Sequence, residues 1–307
     1  MSNNLPQISI IVPSYNQSAY LGETLQALIQ QSYPNLQIIV IDGGSHDESV
    51  AVIQQYDPFI HYWVSEQDAG QSDAICKGFA RATGEIITFC NSDDYYLPDT
   101  LVDVAKAYQA NPNCGVIVGG FQYVDAKSDP LGGTHWPQLT VETPYDLSLG
   151  PPGIYRLHQA AAFFTRHALD NVGRYVRQDL TYTMDRELLY RVCRRYPIVT
   201  RQKLYAAFRL HEASKSVADQ SPFADEFAHL YRSLKTGNQE EDRRREQMAR
   251  YHLAKGHIKV AKTSSDWKTR TSQMIQAGRI YPHYLVSKQY YYAWYLLLRK
   301  HLAIRLI

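Results

Sequence analysis

Short β-branched runs alternate with longer amphipathic stretches through the first 123 residues, and that rhythm limits what this chain can fold into. Residues 8–12 (I-S-I-I-V), 37–41, 60–64, 85–89 and 115–123 read as strands. Residues 20–31, 47–56, 68–82 and 99–110 read as helices; in the first of them Leu21, Leu25, Leu28 and Ile29 repeat at helical spacing. Pro34 and Asn35 break that helix, Pro98 precedes the last one, and Gly84 stands where a C-cap glycine would end the third. Strands joined by helices of about 10–15 residues imply right-handed crossovers and a mostly parallel α/β sheet flanked by helices. Ligands of such sheets bind outside the carboxyl ends of the strands. The chemistry should therefore lie just after Val12, Ile41, Val64 and Phe89.

All four of those places carry polar clusters: Pro13-Ser14-Tyr15-Asn16, then Asp42-Gly43-Gly44-Ser45-His46-Asp47, then Ser65-Glu66-Gln67-Asp68-Ala69-Gly70, then Asn91-Ser92-Asp93-Asp94. Any one of them is accounted for as a helix cap or turn. Four at one sheet edge are not, because carboxylates crowded together repel unless a cation sits among them. Asp93 and Asp94 offer hard oxygen ligands suited to Mg²⁺ or Mn²⁺. Mg²⁺ is commonly shared between one or two carboxylates and substrate phosphates. No G-x-x-x-x-G-K-[ST] loop and no G-x-G-x-x-G follows the first strand, which removes support for P-loop and nicotinamide chemistry.

Charge divides the chain. Residues 1–150 hold 4 Lys+Arg against 17 Asp+Glu, residues 151–231 hold 12 against 8, and residues 232–307 hold 16 against 5, within a formal net charge of +2. The acidic front excludes a general nucleic-acid surface, while the basic tail can meet phosphates. Four cysteines without C-x-x-C spacing argue against zinc and against a disulfide framework. Neither a basic-then-apolar leader nor a stretch of roughly 20 apolar residues is present, so a cytoplasmic chain is expected. Residues 125–152 are Gly/Pro-rich and read as loops; residues 160–164 are a small apolar run, 185–195 a helix and 204–210 a strand. Beyond Phe223 the chain reads as basic, Tyr-rich helices.

The ordered set P-S-Y-N, I-D-G-G-S-H-D-E-S, S-E-Q-D-A-G-Q-S-D-A and F-C-N-S-D-D-Y resembles the nucleotide-sugar half of the family 2 inverting glycosyltransferases, which have the GT-A fold. T-M-D-R-E-L-L-Y-R, with L-H-Q-A-A-A-F-F before it and F-R-L-H-E-A-S-K-S after it, resembles their acceptor half. The resemblance covers about residues 6–217, and it is the order and spacing of the motifs that make it specific. It implies a GT-A domain over residues 1–222, divided near residue 124 into nucleotide-sugar and acceptor halves, with a helical basic extension over 223–307.

Carried over residue by residue, the resemblance implies that Pro13, Ser14, Tyr15 and Asn16 line the nucleotide pocket. Asp42 would accept the imide N–H of a uracil or thymine, pointing to a UDP- or dTDP-sugar. Asp68, Gly70 and Asp73 would border nucleotide and sugar, with Lys77 nearby. Asp93 would bind the metal, with Asn91, Ser92 and Asp94 beside it. Asn91 stands where the family's D-x-D begins, keeping an oxygen but losing a charge; Cys76 stands where an Asn is common. Asp185 would be the general base on the acceptor side, with Glu187 in reserve. Arg209 would reach the diphosphate and His211 the metal, while His158 and Gln159 would line the sugar pocket.

The function implied is inverting transfer of a sugar to an acceptor hydroxyl, saccharide or lipid-linked, in polysaccharide or glycolipid synthesis. A non-catalytic sugar-nucleotide-binding subunit is the alternative, with a sugar nucleotidyltransferase behind it; the latter would want a Gly-rich basic loop after the first strand, which residues 13–19 lack. An oligomer is compatible with the sequence. Residues 279–307 mix Tyr, Trp, Leu and basic residues, which suits peripheral contact with the inner face of a membrane as well as it suits packing on protein.

Overall fold

The computed structural model describes residues 5–137, 158–212, 214–215, 221–234, 237–286 and 294–295. The chain divides into two compact units, Met1–His211 and Glu212–Ile307. The break falls ahead of the expected one at 222/223, because the chain leaves the sheet directly after its last strand.

In the first unit the strands are β1 (Ile8–Ser14), β2 (Leu36–Asp42), β3 (Tyr62–Ser65), β4 (Ile86–Phe89), β5 (Tyr95–Tyr96), β6 (Val116–Val124), β7 (Pro130–His135), β8 (Ala162–Thr165) and β9 (Ile198–Arg209). They form one sheet in the order β3-β2-β1-β4-β8-β6-β9-β5, with β7 on the edge of β6. The β3-β2-β1-β4 half is parallel, and so is β6 with β9. β8 runs antiparallel between β4 and β6. The helices are α1 (Ser18–Gln30), α2 (Ser49–Gln55), α3 (Gln71–Arg81), α4 (Thr100–Ala110), α5 (Arg166–Val172) and α6 (Met184–Cys193). The parallel crossovers and four helices match the expectation, while β7 lies inside the segment read as loops. β7 is exposed along almost its whole length, so its sequence carries no burial signal.

β1 is buried at every position, which is why it reads as an unbroken apolar run rather than an alternation. One core holds Ile8, Ile10 and Val12 of β1 with Leu21, Leu25 and Leu28 of α1 and Leu101 and Val104 of α4. Gly84 is needed for a different reason from the expected one. α3 ends at Arg81 with Ala82 as its cap. A Cβ on Gly84 would lie 2.7 Å from the Gln7 carbonyl and from the Ser9 nitrogen, so glycine here permits backbone contact with β1.

In the second unit α7 (Ser221–Ser233), α8 (Gln239–Thr263) and α9 (Trp267–Ile280) pack in sequence. Ala254, Ile258 and Ala261 of α8 meet Met274 and Ala277 of α9, while Ala228 and Tyr231 of α7 meet Ala249 of α8. Asn238 accepts the Glu240 and Glu241 N–H groups at the start of α8, and Asp266 accepts that of Thr269 in α9. No helix among the described residues is long and apolar enough to cross a membrane.

Asp47 ties two helix starts together. Its Oδ2 accepts the Ser18 N–H at 3.0 Å and its Oδ1 the Ser49 N–H at 2.9 Å, the first residues of α1 and α2. Partial burial pushes its carboxyl up, but the hydrogen bonds from Ser49 and Ser18 together outweigh that and hold it down at about 2. A depressed carboxyl adds stability above its unfolded value, and the gain fades as pH falls toward 2. Asp47→Ala should therefore cost about 1 kcal/mol in urea unfolding at neutral pH. Its deficit should close in acid; a deficit constant down to the acid limit would refute the capping role.

Candidate functional site

The ends of the first three strands are in register: Ser14 lies beside Asp42, and Asp42 beside Ser65. Asp42 is fully buried. Its Oδ2 accepts the Ser45 N–H at 2.9 Å and the Ser65 hydroxyl at 2.7 Å, and its Oδ1 accepts the Ser45 hydroxyl at 2.6 Å. A carboxylate offers about four lone pairs, so about one is left for a base. The Ser45 hydroxyl oxygen also accepts the Asn16 N–H at 2.8 Å, and the Asn16 side chain accepts the His46 N–H at 2.9 Å. Asn16 adopts φ +50°, a left-handed turn that asparagine tolerates. Pro13 and Ser14 are buried, whereas the Tyr15 ring is 55% exposed at the same edge. The Ser14 hydroxyl is enclosed and has no hydrogen-bond partner.

Asp68 and Gly70 lie beside this group. A Cβ on Gly43 would stand 2.8 Å from Asp68 Oδ2, so the missing side chain lets the 42–47 and 65–70 loops close on each other. Asp68 Oδ1 accepts the Gly70 N–H at 2.8 Å. Lys77 bonds Glu66 at 2.9 Å and approaches Asp73 at 3.4 Å, and the bond from Glu66 holds its ammonium above the ordinary value. Asp73 also accepts from Gln178 at 3.2 Å. α3 thus bridges toward the chain leading into α6, helped by the Ser72 hydroxyl on the Leu180 carbonyl and by Cys76 on that of Val176. Burial raises the Cys76 thiol, which makes it a poor nucleophile.

The loop after β4 is the most tightly bonded part of the site. Asp93 keeps a partly exposed carboxylate whose Oδ2 lies 3.0 Å from His211 Nε2, in a pair 118 positions apart. Asp94 is enclosed; it accepts the Arg209 N–H at 2.9 Å and the Asn91 amide at 3.1 Å. Burial first, then the neighbouring Asp93 charge, pushes the Asp94 carboxyl well above the carboxylate range. Asn91 in turn accepts from Gln71 at 2.7 Å. The Ser92 and Asp94 carbonyls both accept the Thr24 hydroxyl, at 3.0 and 2.7 Å. Arg209 is 1% exposed, with Nε on the Asp93 carbonyl, Nη1 on Ser128 and Nη2 on Glu23. The expectation that Arg209 reaches a diphosphate meets a guanidinium enclosed under the loop and bonded to protein.

Asp185 occupies the first turn of α6, half-buried, and Thr183 is that helix's N-cap residue. Glu187 is buried and takes both oxygens to Arg191 Nε, at 2.7 and 2.8 Å. Arg191 also holds the Val172, Gly173 and Tyr175 carbonyls. Glu187 thus stands in a buried ion pair with Arg191. His158 packs its ring on Phe121 and Phe208 at 4.4 and 4.5 Å, and burial pushes it down to about 3. Gln159 donates its amide to the Phe89 carbonyl, inside the sheet.

Glu23 and Thr24 escape sequence reasoning, though Thr24 leaves a trace as a polar residue inside the apolar stripe of α1; Ser45, Ser65 and Gln71 appear there only as members of the polar clusters and motifs. Asp93 and His211 fit a divalent ion as a hard carboxylate and an imidazole on neighbouring loops. Among the described residues no group of three or more His, Cys, Asp or Glu encloses an ion by itself. Two protein donors are what an ion shared with phosphates requires.

The family model for glycosyl transferase family 2 matches residues 9–173. An uncharacterized glycosyltransferase of Rickettsia typhi is 27% identical over 209 residues, covering 68% of this chain and 65% of that protein. TuaG of Bacillus subtilis, a glycosyltransferase named for teichuronic acid biosynthesis, is 31% identical over 134 residues, 43% of this chain and 53% of its own. The chain thus spans less than two thirds of the length of either. Among solved structures, S. aureus TarS 1-349 in complex with UDP-GlcNAc superposes with a TM-score of 0.63 at 16% identity, over 89% of this chain and 80% of that one. The mannosyltransferase PcManGT of Pyrobaculum calidifontis, in complex with GDP-Man and Mn²⁺, gives 0.60 at 18% identity, over 98% and 88%. The sheet has the GT-A architecture of those structures, and by the family match over more than half of its length the chain belongs to glycosyltransferase family 2.

Proposed function

We propose that this chain transfers a sugar from a UDP- or dTDP-sugar to an acceptor hydroxyl with inversion, in the synthesis of a polysaccharide or glycolipid. The observation that carries the reading is the Asp93–His211 pair at 3.0 Å, set at the carboxyl edge where Ser14, Asp42 and Ser65 end their strands. The enclosed, unpartnered Ser14 hydroxyl and the exposed Tyr15 ring favour a nucleotide there, one as a polar contact and the other as a stacking face. The UDP-GlcNAc of TarS and the polymer in the name of TuaG favour a uridine donor and a polymeric product. GDP-Man in PcManGT keeps the base as the point to test.

Asp93 and His211 would hold Mg²⁺ or Mn²⁺, which would supply positive charge to the departing diphosphate. Asp185 takes the proton of the acceptor hydroxyl while that oxygen attacks the anomeric carbon from the face opposite the leaving group. Its place in the first turn of a helix sets a negative side chain where the helix N-terminus favours one.

Three measurements test this reading. Asp93→Ala should abolish transfer and metal-dependent UDP binding with the unfolding midpoint intact; full activity in that variant, or in excess chelator, would defeat it. Asp185→Asn should lower the transfer rate by about 10²–10⁴-fold with UDP affinity unchanged. Glu187→Ala should instead lose roughly 3 kcal/mol of stability, the cost of stranding one member of a buried pair. If the two variants exchange those behaviours, the base is misassigned. UDP and dTDP should compete equally and GDP weakly in a binding titration; a GDP preference overturns the base assignment.

The basic C-terminal unit is proposed to hold the enzyme against anionic lipid. Residues 287–293 and 296–307 lie outside the described residues, so this reading rests on charge and composition. Co-sedimentation of the full chain with anionic vesicles at low salt, lost at high salt or with neutral vesicles, is the expected result; indifference to both sinks it.

A further inference from the structure

The donors Asp93 and His211 lie 118 positions apart in sequence at one edge of the sheet, and something must hold their spacing. Asp93 sits in the turn after β4, His211 two residues beyond the end of β9. Between them lies Arg209. Its main-chain N–H reaches Asp94 Oδ1 at 2.9 Å and its Nε reaches the Asp93 carbonyl at 2.9 Å, so one residue staples the β4 turn to the strand end that carries His211. From the other side α1 fixes the same turn: the Thr24 hydroxyl lies 3.0 Å from the Ser92 carbonyl and 2.7 Å from that of Asp94. The carbonyls of three consecutive residues, 92–94, are thereby fixed by two side chains.

Arg209 is itself held. Its Nη2 bonds Glu23 Oε2 at 2.5 Å, its Nη1 bonds Ser128 Oγ at 2.9 Å, and the Ser128 hydroxyl donates to Glu23 Oε1 at 2.6 Å. The rings of Tyr20 and Tyr95 lie 4.9 and 5.5 Å from the guanidinium carbon. Tyr20 also meets the His211 ring, at 4.5 Å. Glu23 is one residue before Thr24 on α1, so one helix turn supplies both the anchor of Arg209 and the anchor of the 92–94 carbonyls.

We infer that Glu23, Thr24 and Arg209 form a positioning device that sets the Asp93–His211 spacing and so governs divalent-metal affinity, with Arg209 acting through the loop rather than on the diphosphate. The inference rests on the metal reading given above. Partners of this kind, which orient a metal's ligands without touching the metal, typically change metal affinity by about 10–100-fold when lost. Arg209 is enclosed, and its guanidinium fork makes bonds that a lysine ammonium on a flexible stem cannot reproduce together.

The test measures Mn²⁺ affinity of the full chain in saturating UDP, by loss of the free-Mn²⁺ resonance, and UDP affinity in chelator. Glu23→Gln, Thr24→Val and Arg209→Lys should each weaken Mn²⁺ binding by about 10–100-fold while UDP affinity in chelator stays at the wild-type value. Thr24→Ser, which keeps the hydroxyl, should restore Mn²⁺ affinity. The half-exposed Glu23 keeps the test sound if Arg209→Lys fails to fold, because its carboxylate lies at the surface end of the network. Wild-type Mn²⁺ affinity in Glu23→Gln and Thr24→Val overturns the inference alone. Loss of chelator-phase UDP affinity in Arg209→Lys, with Mn²⁺ affinity kept, overturns it in favour of direct phosphate contact. A wild-type chain that takes up no Mn²⁺ overturns the metal reading and this inference with it.

Discussion

Two adjacent carboxyl groups at the end of a buried strand are the constraint around which this site is arranged. Asp94 is enclosed with the Asp93 charge as its neighbour, a costly placement unless donors surround it. The Arg209 N–H and the Asn91 amide supply them. Asn91, where the family's motif would have a third acidic group, donates to one carboxyl and accepts from Gln71. The departure from the family pattern therefore has a local logic: an amide can do both, while a third carboxylate here would add repulsion. The enclosed Asp94 carboxyl is thus satisfied by a backbone N–H and an amide.

That turn also explains why the sheet changes character where it does. β1 to β4 are parallel and deliver their carboxyl ends to one edge. β8 then enters antiparallel beside β4, and β9 runs parallel to β6 so that its own end arrives at the same edge with Arg209 and His211. The parallel half carries the residues expected at a nucleotide, and the mixed half carries Arg209, which holds the 92–94 turn together with Thr24 of α1. α3 links these to the chain entering α6, where Asp185 stands at a helix start. The groups proposed for catalysis are thus drawn from separate elements set by rigid strands and buried side chains rather than by loops alone.

The acidic side chains show how differently one residue type can be used on one surface. Asp47 caps two helices, Glu187 closes a buried ion pair with Arg191, and Asp103 pairs with Arg201 and Tyr205. Asp42 organises a turn of serines. In the first three the carboxylate is spent on the protein, while Asp42 keeps accepting capacity beyond its three bonds. Asp93 differs in keeping one oxygen edge partly exposed and beside an imidazole.

Much of this was legible in the chain alone. Parallel strands, crossover helices and the edge that bears the site follow from β-branched runs, their spacing, and the rule that ligands gather at strand ends, all local properties of the sequence. Asp42, Asp68, Asp73 and Asp93 become site candidates from their place in the motifs after those runs. The exposed strand β7 left no burial pattern to read, and Gly84 looked like a cap because its real constraint, close approach to β1, comes from a strand 75 positions away. For the same reason the chain alone does not show that Arg209 bonds Glu23 and Ser128 or that Glu187 pairs with Arg191. Composition and order say which groups are available; only the folded chain decides which of them are already satisfied. That depends on hydrogen bonds between residues far apart in sequence, such as Arg209 with Glu23 and Asp93, whose partners no local pattern encodes.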